Sequence, residues 1–103
     1  MKELRLRPRA EADLIDRTQY HVAEGGRTRG ERFFDQAIAV LDAVSEMPGI
    51  GSPGVGELAE VPGLRRVSVE GFACGWYYLE RETFIEVIRL LADRQDLIRL
   101  LTD

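Results

Sequence analysis

The chain has 103 residues, 45% of them hydrophobic and 31% charged, with a formal net charge of −4. That length accommodates one compact domain, 1–103, and the balance argues against a disordered or fibrous chain. The longest apolar runs, such as Ala37 to Leu41, fall far short of the roughly 20 residues of a membrane span, and no N-terminal stretch has the order of a secretory signal. With Cys74 the one cysteine, an internal disulfide is ruled out and a cytoplasmic location is expected. Arginine supplies all but one of the 14 basic residues, Lys2 being the exception. The acidic surplus predicts weak nonspecific nucleic-acid binding, because phosphate neutralisation drives such affinity.

Leu4 and Leu6 alternate with Glu3, Arg5 and Arg7, the pattern of a short half-buried strand. Pro8 ends it and suits the first turn of a helix. Ala10, Leu14, Ile15, Thr18 and Val22 then fall on one helical face, with Glu11 and Asp13 near the positive end of the dipole. Gly25-Gly26 closes this helix through a left-handed glycine. Thr28 and Glu31 form a capping box for a second helix, whose buried stripe is Phe33, Phe34, Ala37, Ile38, Leu41 and Val44 and which Pro48 stops.

Pro48 to Gly63 holds five glycines and three prolines and is expected to be an irregular surface loop or flap. Strands follow over Leu64 to Val69, Phe72 to Glu80 and Thr83 to Leu91, with turns at Glu70-Gly71 and Arg81-Glu82. The third is apolar on both faces, which predicts a central position. A short helix from Gln95 or Asp96 to Leu101 completes the chain. The predicted class is α+β, in the order β-α-α-β-β-β, with a helical hairpin packed on a small, mostly antiparallel sheet.

Few residues carry obvious chemistry. His21 and Cys74 are single, far apart and without ligand spacing, which argues against a metal site, and nothing local supports a Cys-His nucleophilic pair; His21 reads as a surface helix residue and Cys74 as a strand packer. Gly49, Gly51, Gly54 and Gly56 lack the lysine and the strand-to-helix context of a phosphate loop, so turn chemistry is the better account. No cofactor is implied.

The motifs Pro8-Arg9-Ala10-Glu11-Ala12-Asp13-Leu14, Arg32-Phe33-Phe34, Pro62-Gly63-Leu64-Arg65, Trp76-Tyr77-Tyr78 and Ile85-Glu86-Val87-Ile88-Arg89-Leu90-Leu91-Ala92-Asp93-Arg94-Gln95-Asp96 occur in this order. Together they resemble the ParE toxins of the RelE/ParE superfamily over nearly the full chain. One departure is Ala92, where the family usually has histidine. The resemblance implies a bacterial, cytoplasmic type II toxin that inhibits DNA gyrase and is neutralised by a ParD-like antitoxin in a hetero-oligomer, without sequence-specific nucleic-acid or membrane binding. Two alternatives stand beside it: a RelE-like ribosome-dependent mRNA endonuclease, and a non-toxic member that only binds antitoxin. At the positions corresponding to the endonuclease's catalytic residues this chain has Arg66, Ser68, Cys74, Arg94 and Leu100, among which no general base or acid is evident, so no catalytic residue is assigned. Candidate target-binding residues are Arg65, Arg66, Tyr77, Arg89 and Arg94, since arginines grouped on a sheet face can bind phosphate bidentately; their alternative role is pairing with Glu70, Glu80, Glu86 and Asp96 or with an acidic partner. Strand alternation predicts one of Tyr77 and Tyr78 inward and the other outward. Candidate antitoxin-binding residues are Phe33, Phe34, Ile38 and Leu41, with a sheet edge.

Overall fold

A computed structural model describes residues 1–93. It contains β1 (Glu3–Leu6), α1 (Pro8–Glu46), one 3-10 turn (Pro48–Ile50), α2 (Gly54–Ala59), β2 (Arg65–Val69), β3 (Cys74–Glu80) and β4 (Phe84–Ala92). The helical run α1 is interrupted at Gly26, with φ 84° and ψ −179°. A straight helix of 39 residues would extend about 58 Å, beyond the 38 Å longest dimension of the molecule. Instead the His21 and Phe33 rings lie 4.6 Å apart, and Val22 fills the space that a side chain at Gly30 would need. Arms 8–25 and 27–46 therefore form the expected antiparallel hairpin.

Two local details differ from expectation. Gly26 adopts an extended mirror-image conformation rather than the left-handed helical one, a region that essentially glycine alone enters. Glu31, expected to close a capping box with Thr28, accepts from Arg27 Nε at 2.8 Å. The second arm ends where Met47 donates its amide to the Ala43 carbonyl at 2.9 Å, because Pro48 has no N–H to continue the ladder.

The sheet order is β1-β4-β3-β2, so β4 is central as its apolar faces predict. β1 runs parallel to β4, and the other pairs are antiparallel. Ala10, Leu14, Phe33, Ala37, Leu41 and Val44 from the hairpin close on Trp76, Tyr78, Ile85, Val87 and Leu90 from the sheet. Burying each large apolar side chain among these contributes roughly 1.5–3 kcal/mol. Trp76 keeps its indole N–H satisfied by donating to the Ala37 carbonyl at 3.0 Å, which joins sheet to hairpin.

The segment expected to be irregular is partly ordered. Val55 and Ala59, one helical turn apart on α2, pack with Leu64, Tyr77, Leu79, Ile88 and Leu91 into a second cluster. Since Tyr77 and Tyr78 sit on opposite faces of β3, this cluster covers the face turned away from the hairpin. Both tyrosines are accordingly buried, at 5% and 0% exposure, where one had been expected outside. β3 begins at Cys74 rather than Phe72, because Gly71 at φ 85° turns the chain and Phe72 packs edge-on against His21 and Phe33. Between Tyr77↔Arg89 and Tyr78↔Val87 the register skips Ile88, a bulge in β4. The helix predicted from 95 or 96 to 101 lies outside the described residues. No helix among the described residues is long and apolar enough to cross a membrane.

Candidate functional site

Register places Arg66, Tyr77 and Arg89 in one row across β2, β3 and β4. The row differs in character along its length. Arg89 is 7% exposed, and its Nε and Nη2 donate to the Asp13 carboxylate at 2.7 and 3.1 Å. Arg89, a candidate target-binding residue, is therefore not on the surface: the bulge and the first helical arm enclose it. Tyr77 is buried beneath the Arg66 guanidinium, whose Cζ stands 5.8 Å from the ring centroid.

Arg66 remains open to solvent, with 24% of its side chain exposed. Its Nη1 donates to Ser68 Oγ at 3.0 Å, and its Nη2 bonds the half-exposed Asp93 carboxylate. A Cβ built at Gly75 would meet Cζ, Nη2 and Nε of Arg66 at 2.7, 2.8 and 2.9 Å. Three nearly equal distances mean that the guanidinium lies face-on over this glycine. β2 exposes a short free edge beside it, because the Ser52 backbone already pairs with Arg66 through two hydrogen bonds of 2.8 and 3.0 Å.

Arg65 points to the other side of β2 and serves the fold. Its Nη1 donates to the carbonyls of Gly51 and Gly49 at 2.7 and 3.3 Å, satisfying carbonyl groups that a short helical turn leaves unpaired. Tyr78 supports the same turn: its hydroxyl donates to the Pro48 carbonyl at 2.7 Å and accepts from the Gly51 amide at 2.9 Å. Arg94 lies outside the described residues.

On the hairpin, the four candidate antitoxin contacts separate by helical phase. Phe33 and Leu41 are 0% and 2% exposed and belong to the core, because positions 33, 37, 41 and 44 share the inward stripe. Phe34 is 43% exposed and Ile38 partly buried. Ile15 and Val22, expected inside, are 57% and 43% exposed and add apolar surface to the hairpin.

His21 occupies the inward position instead, which corrects its assignment to the surface. It is 3% exposed, touches Phe33 and Phe72, and accepts from Arg29 Nε at 3.2 Å through Nδ1. Burial, then the cations Arg17 and Arg29, hold its pKa below the ordinary histidine value. Burial pushes the Cys74 thiol up, which disfavours the thiolate that a nucleophile or metal ligand requires. Among the described residues no group of three or more His, Cys, Asp or Glu is placed to hold a metal ion.

Gly75 is not among the candidates read from sequence, and Asp13 and Asp93 enter there only within motifs, Asp13 also for the helix dipole, without their arginine partners. A glycine inside a strand does signal close approach by another group, so Gly75 was discoverable. The pairings of the two aspartates depend on contacts across the fold and leave no local trace.

No curated protein matches the sequence. Among solved structures, the fold is similar to a chain of the chromosomal ParDE toxin–antitoxin system from P. aeruginosa, with a TM-score of 0.76, 20% identity, and coverage of 89% of this chain and 96% of that one. The family model for the ParE toxin of the type II toxin-antitoxin system parDE matches residues 4–97. With nearly all of the chain matched in sequence, and with the hairpin-on-sheet architecture built as described, the chain belongs to the ParE family of type II toxin-antitoxin toxins.

Proposed function

We propose that this ParE-family chain arrests growth by binding DNA gyrase through the sheet face carrying Arg66, and that a ParD-like antitoxin neutralises it by covering the hairpin around Phe34 and Ile38. The carrying observation is the state of Arg66. It is the candidate target-binding arginine whose guanidinium lies on an accessible sheet face and already binds a carboxylate, that of Asp93. Arg65 and Arg89 are committed to the fold, through the Gly49 and Gly51 carbonyls and through Asp13. Tyr77 supports Arg66 from below, and Arg94 follows Asp93 directly in sequence.

Recognition of protein rather than cleavage of RNA fits the groups around this row. Cys74 is a buried thiol pushed up in pKa, and the lone histidine is enclosed at the hairpin apex. General acid–base catalysis needs a titratable group free to move a proton at the reacting atoms, and the carboxylate at this row, that of Asp93, is engaged in an ion pair with Arg66. Carboxylate recognition needs only the planar donor edge of an arginine.

The antitoxin reading rests on exposed apolar side chains on both hairpin arms, Ile15 and Val22 on the first and Phe34 with the partly buried Ile38 on the second, residues of the kind an amphipathic helix covers. Induction in a gyrase-proficient bacterium should trigger DNA-damage signalling and filamentation while messenger RNA stays intact, and co-expression of the neighbouring antitoxin should restore growth. Rapid transcript cleavage on ribosomes would overturn the gyrase assignment in favour of the endonuclease.

A further inference from the structure

The seat beneath Arg66 is built by an absence. In the interior of β3, flanked by buried Cys74 and Trp76, Gly75 is the residue that leaves the sheet surface bare where the guanidinium rests. Its φ is not positive, so the backbone does not need glycine there. In a strand, glycine is weaker than alanine because it costs more backbone entropy and packs nothing. A glycine without conformational need points to the space above it, which the Arg66 guanidinium fills.

The occupants of that space fix the orientation of Arg66. Ser68 takes Nη1 at 3.0 Å, Asp93 takes Nη2, and the Tyr77 ring lies below. Two N–H groups are thus engaged, and a guanidinium has further donors for a second acceptor. Asp93 also displays the chemistry the seat accepts, a half-exposed carboxylate.

We propose that Gly75 is a positioning residue for target recognition, its missing side chain seating the Arg66 guanidinium face-on against β3 so that its free donors meet a carboxylate of the protein target. This rests on the assignment of Arg66 to gyrase binding. An alanine methyl would stand within 3 Å of Cζ, Nη2 and Nε, and the group that must yield is the tip of a flexible side chain. Gly75→Ala therefore displaces the guanidinium while leaving the fold intact.

The test compares inhibition of gyrase supercoiling by the full chain carrying Gly75→Ala, Arg66→Ala and both together. Each single variant should inhibit about tenfold less well, the size expected for one lost charge-assisted hydrogen bond. The double variant should match Arg66→Ala alone, since Gly75 acts through Arg66. Urea midpoints and antitoxin binding should stay at wild-type values for Gly75→Ala. If Arg66→Ala inhibits normally, the underlying binding assignment falls and the proposal with it. If Arg66→Ala is impaired while Gly75→Ala is not, the assignment stands and the positioning role is wrong. A further loss from Gly75→Ala in the Arg66→Ala background also overturns the positioning role.

Discussion

Asp13 and Arg89, 76 residues apart, form a two-bond polar joint between hairpin and sheet. The carboxylate accepts Arg89 Nε at 2.7 Å and Nη2 at 3.1 Å, and also the backbone N–H of Leu90 at 3.0 Å. The side chains are 15% and 8% exposed, so the pair is largely desolvated. Its place beside the Ile88 bulge explains the extra amide bond: β1 pairs with β4 only as far as Val87, and Asp13 takes up the amide of Leu90 just beyond.

Breaking this joint from one side should be costly. Removing one partner of a buried pair strands the other charge, and such losses run to about 3–5 kcal/mol. Arg89→Ala should therefore lower the urea midpoint severely, read through emission of the single, fully buried Trp76. Asp13→Asn combined with Arg89→Met should recover much of the loss, since no uncompensated charge remains and the introduced amide oxygen can still accept from the Leu90 N–H. Near-wild-type stability of Arg89→Ala would mean that the pair contributes little. Loss of toxicity in Arg89→Ala should accordingly follow unfolding rather than lost target contact.

His21 makes stability depend on pH in a defined window. Burial first, then Arg17 and Arg29, lower its folded pKa below 6.5. The Arg29 bond to Nδ1 requires the neutral ring with its proton on Nε2. Between the two pKa values the unfolded chain binds a proton that the folded chain does not, so stability rises with pH there. The His21 contribution is complete above about pH 6.5 and is lost as pH falls toward the lowered value. Urea midpoints should fall between pH 7.5 and 5.5 in the wild type and change less in His21→Gln. With one histidine in the chain, its NMR titration is unambiguous, and a midpoint at or above the ordinary value would contradict this account.

The elements of the fold were legible wherever a local period carried them. Leu4 and Leu6 marked β1, the double-sided run from Ile85 to Leu91 marked a central strand, and Gly25-Gly26 marked the hairpin turn. Where composition and packing disagreed, composition misled. Five glycines and three prolines between Pro48 and Gly63 indicated a loop, yet Val55 and Ala59 gain enough by covering Tyr77 and Leu79 to hold a turn and a half of helix. The same cover explains why Tyr77 is buried. The candidate arginines could be read from sequence but not their state: the commitment of Arg89 to Asp13, of Arg65 to Gly51 and of Arg66 to Asp93 depends on long-range partners.

A side chain at Gly26 should cost stability despite the open space around it. A Cβ there meets nothing within 4 Å, so any penalty is purely conformational. At φ 84° and ψ −179° an L-residue pays about 1–3 kcal/mol. Gly26→Ala should lower the thermal midpoint by several degrees, while Gly49→Ala, also in open space but without positive φ, should not. An unchanged midpoint in Gly26→Ala would indicate that the hairpin turn readily adopts another conformation.

Adjacent phenylalanines on the second helical arm should separate folding from antitoxin binding. Phe33 is fully buried among Leu14, His21 and Phe72 neighbours in the main core, and truncating such a side chain to alanine costs about 3–5 kcal/mol. Phe34, one helical step of about 100° away, is 43% exposed and leaves the core intact when changed. Phe33→Ala should therefore fail to accumulate as folded protein without its antitoxin. Phe34→Glu should keep the wild-type urea midpoint, since surface changes usually stay within about 0.5 kcal/mol. It should bind the antitoxin about tenfold or more weakly, as expected for an aromatic anchor at the centre of an interface. Because the sheet face carrying Arg66 is untouched, Phe34→Glu should remain toxic and resist rescue by antitoxin co-expression. Full rescue with unchanged affinity would place the antitoxin elsewhere on the molecule.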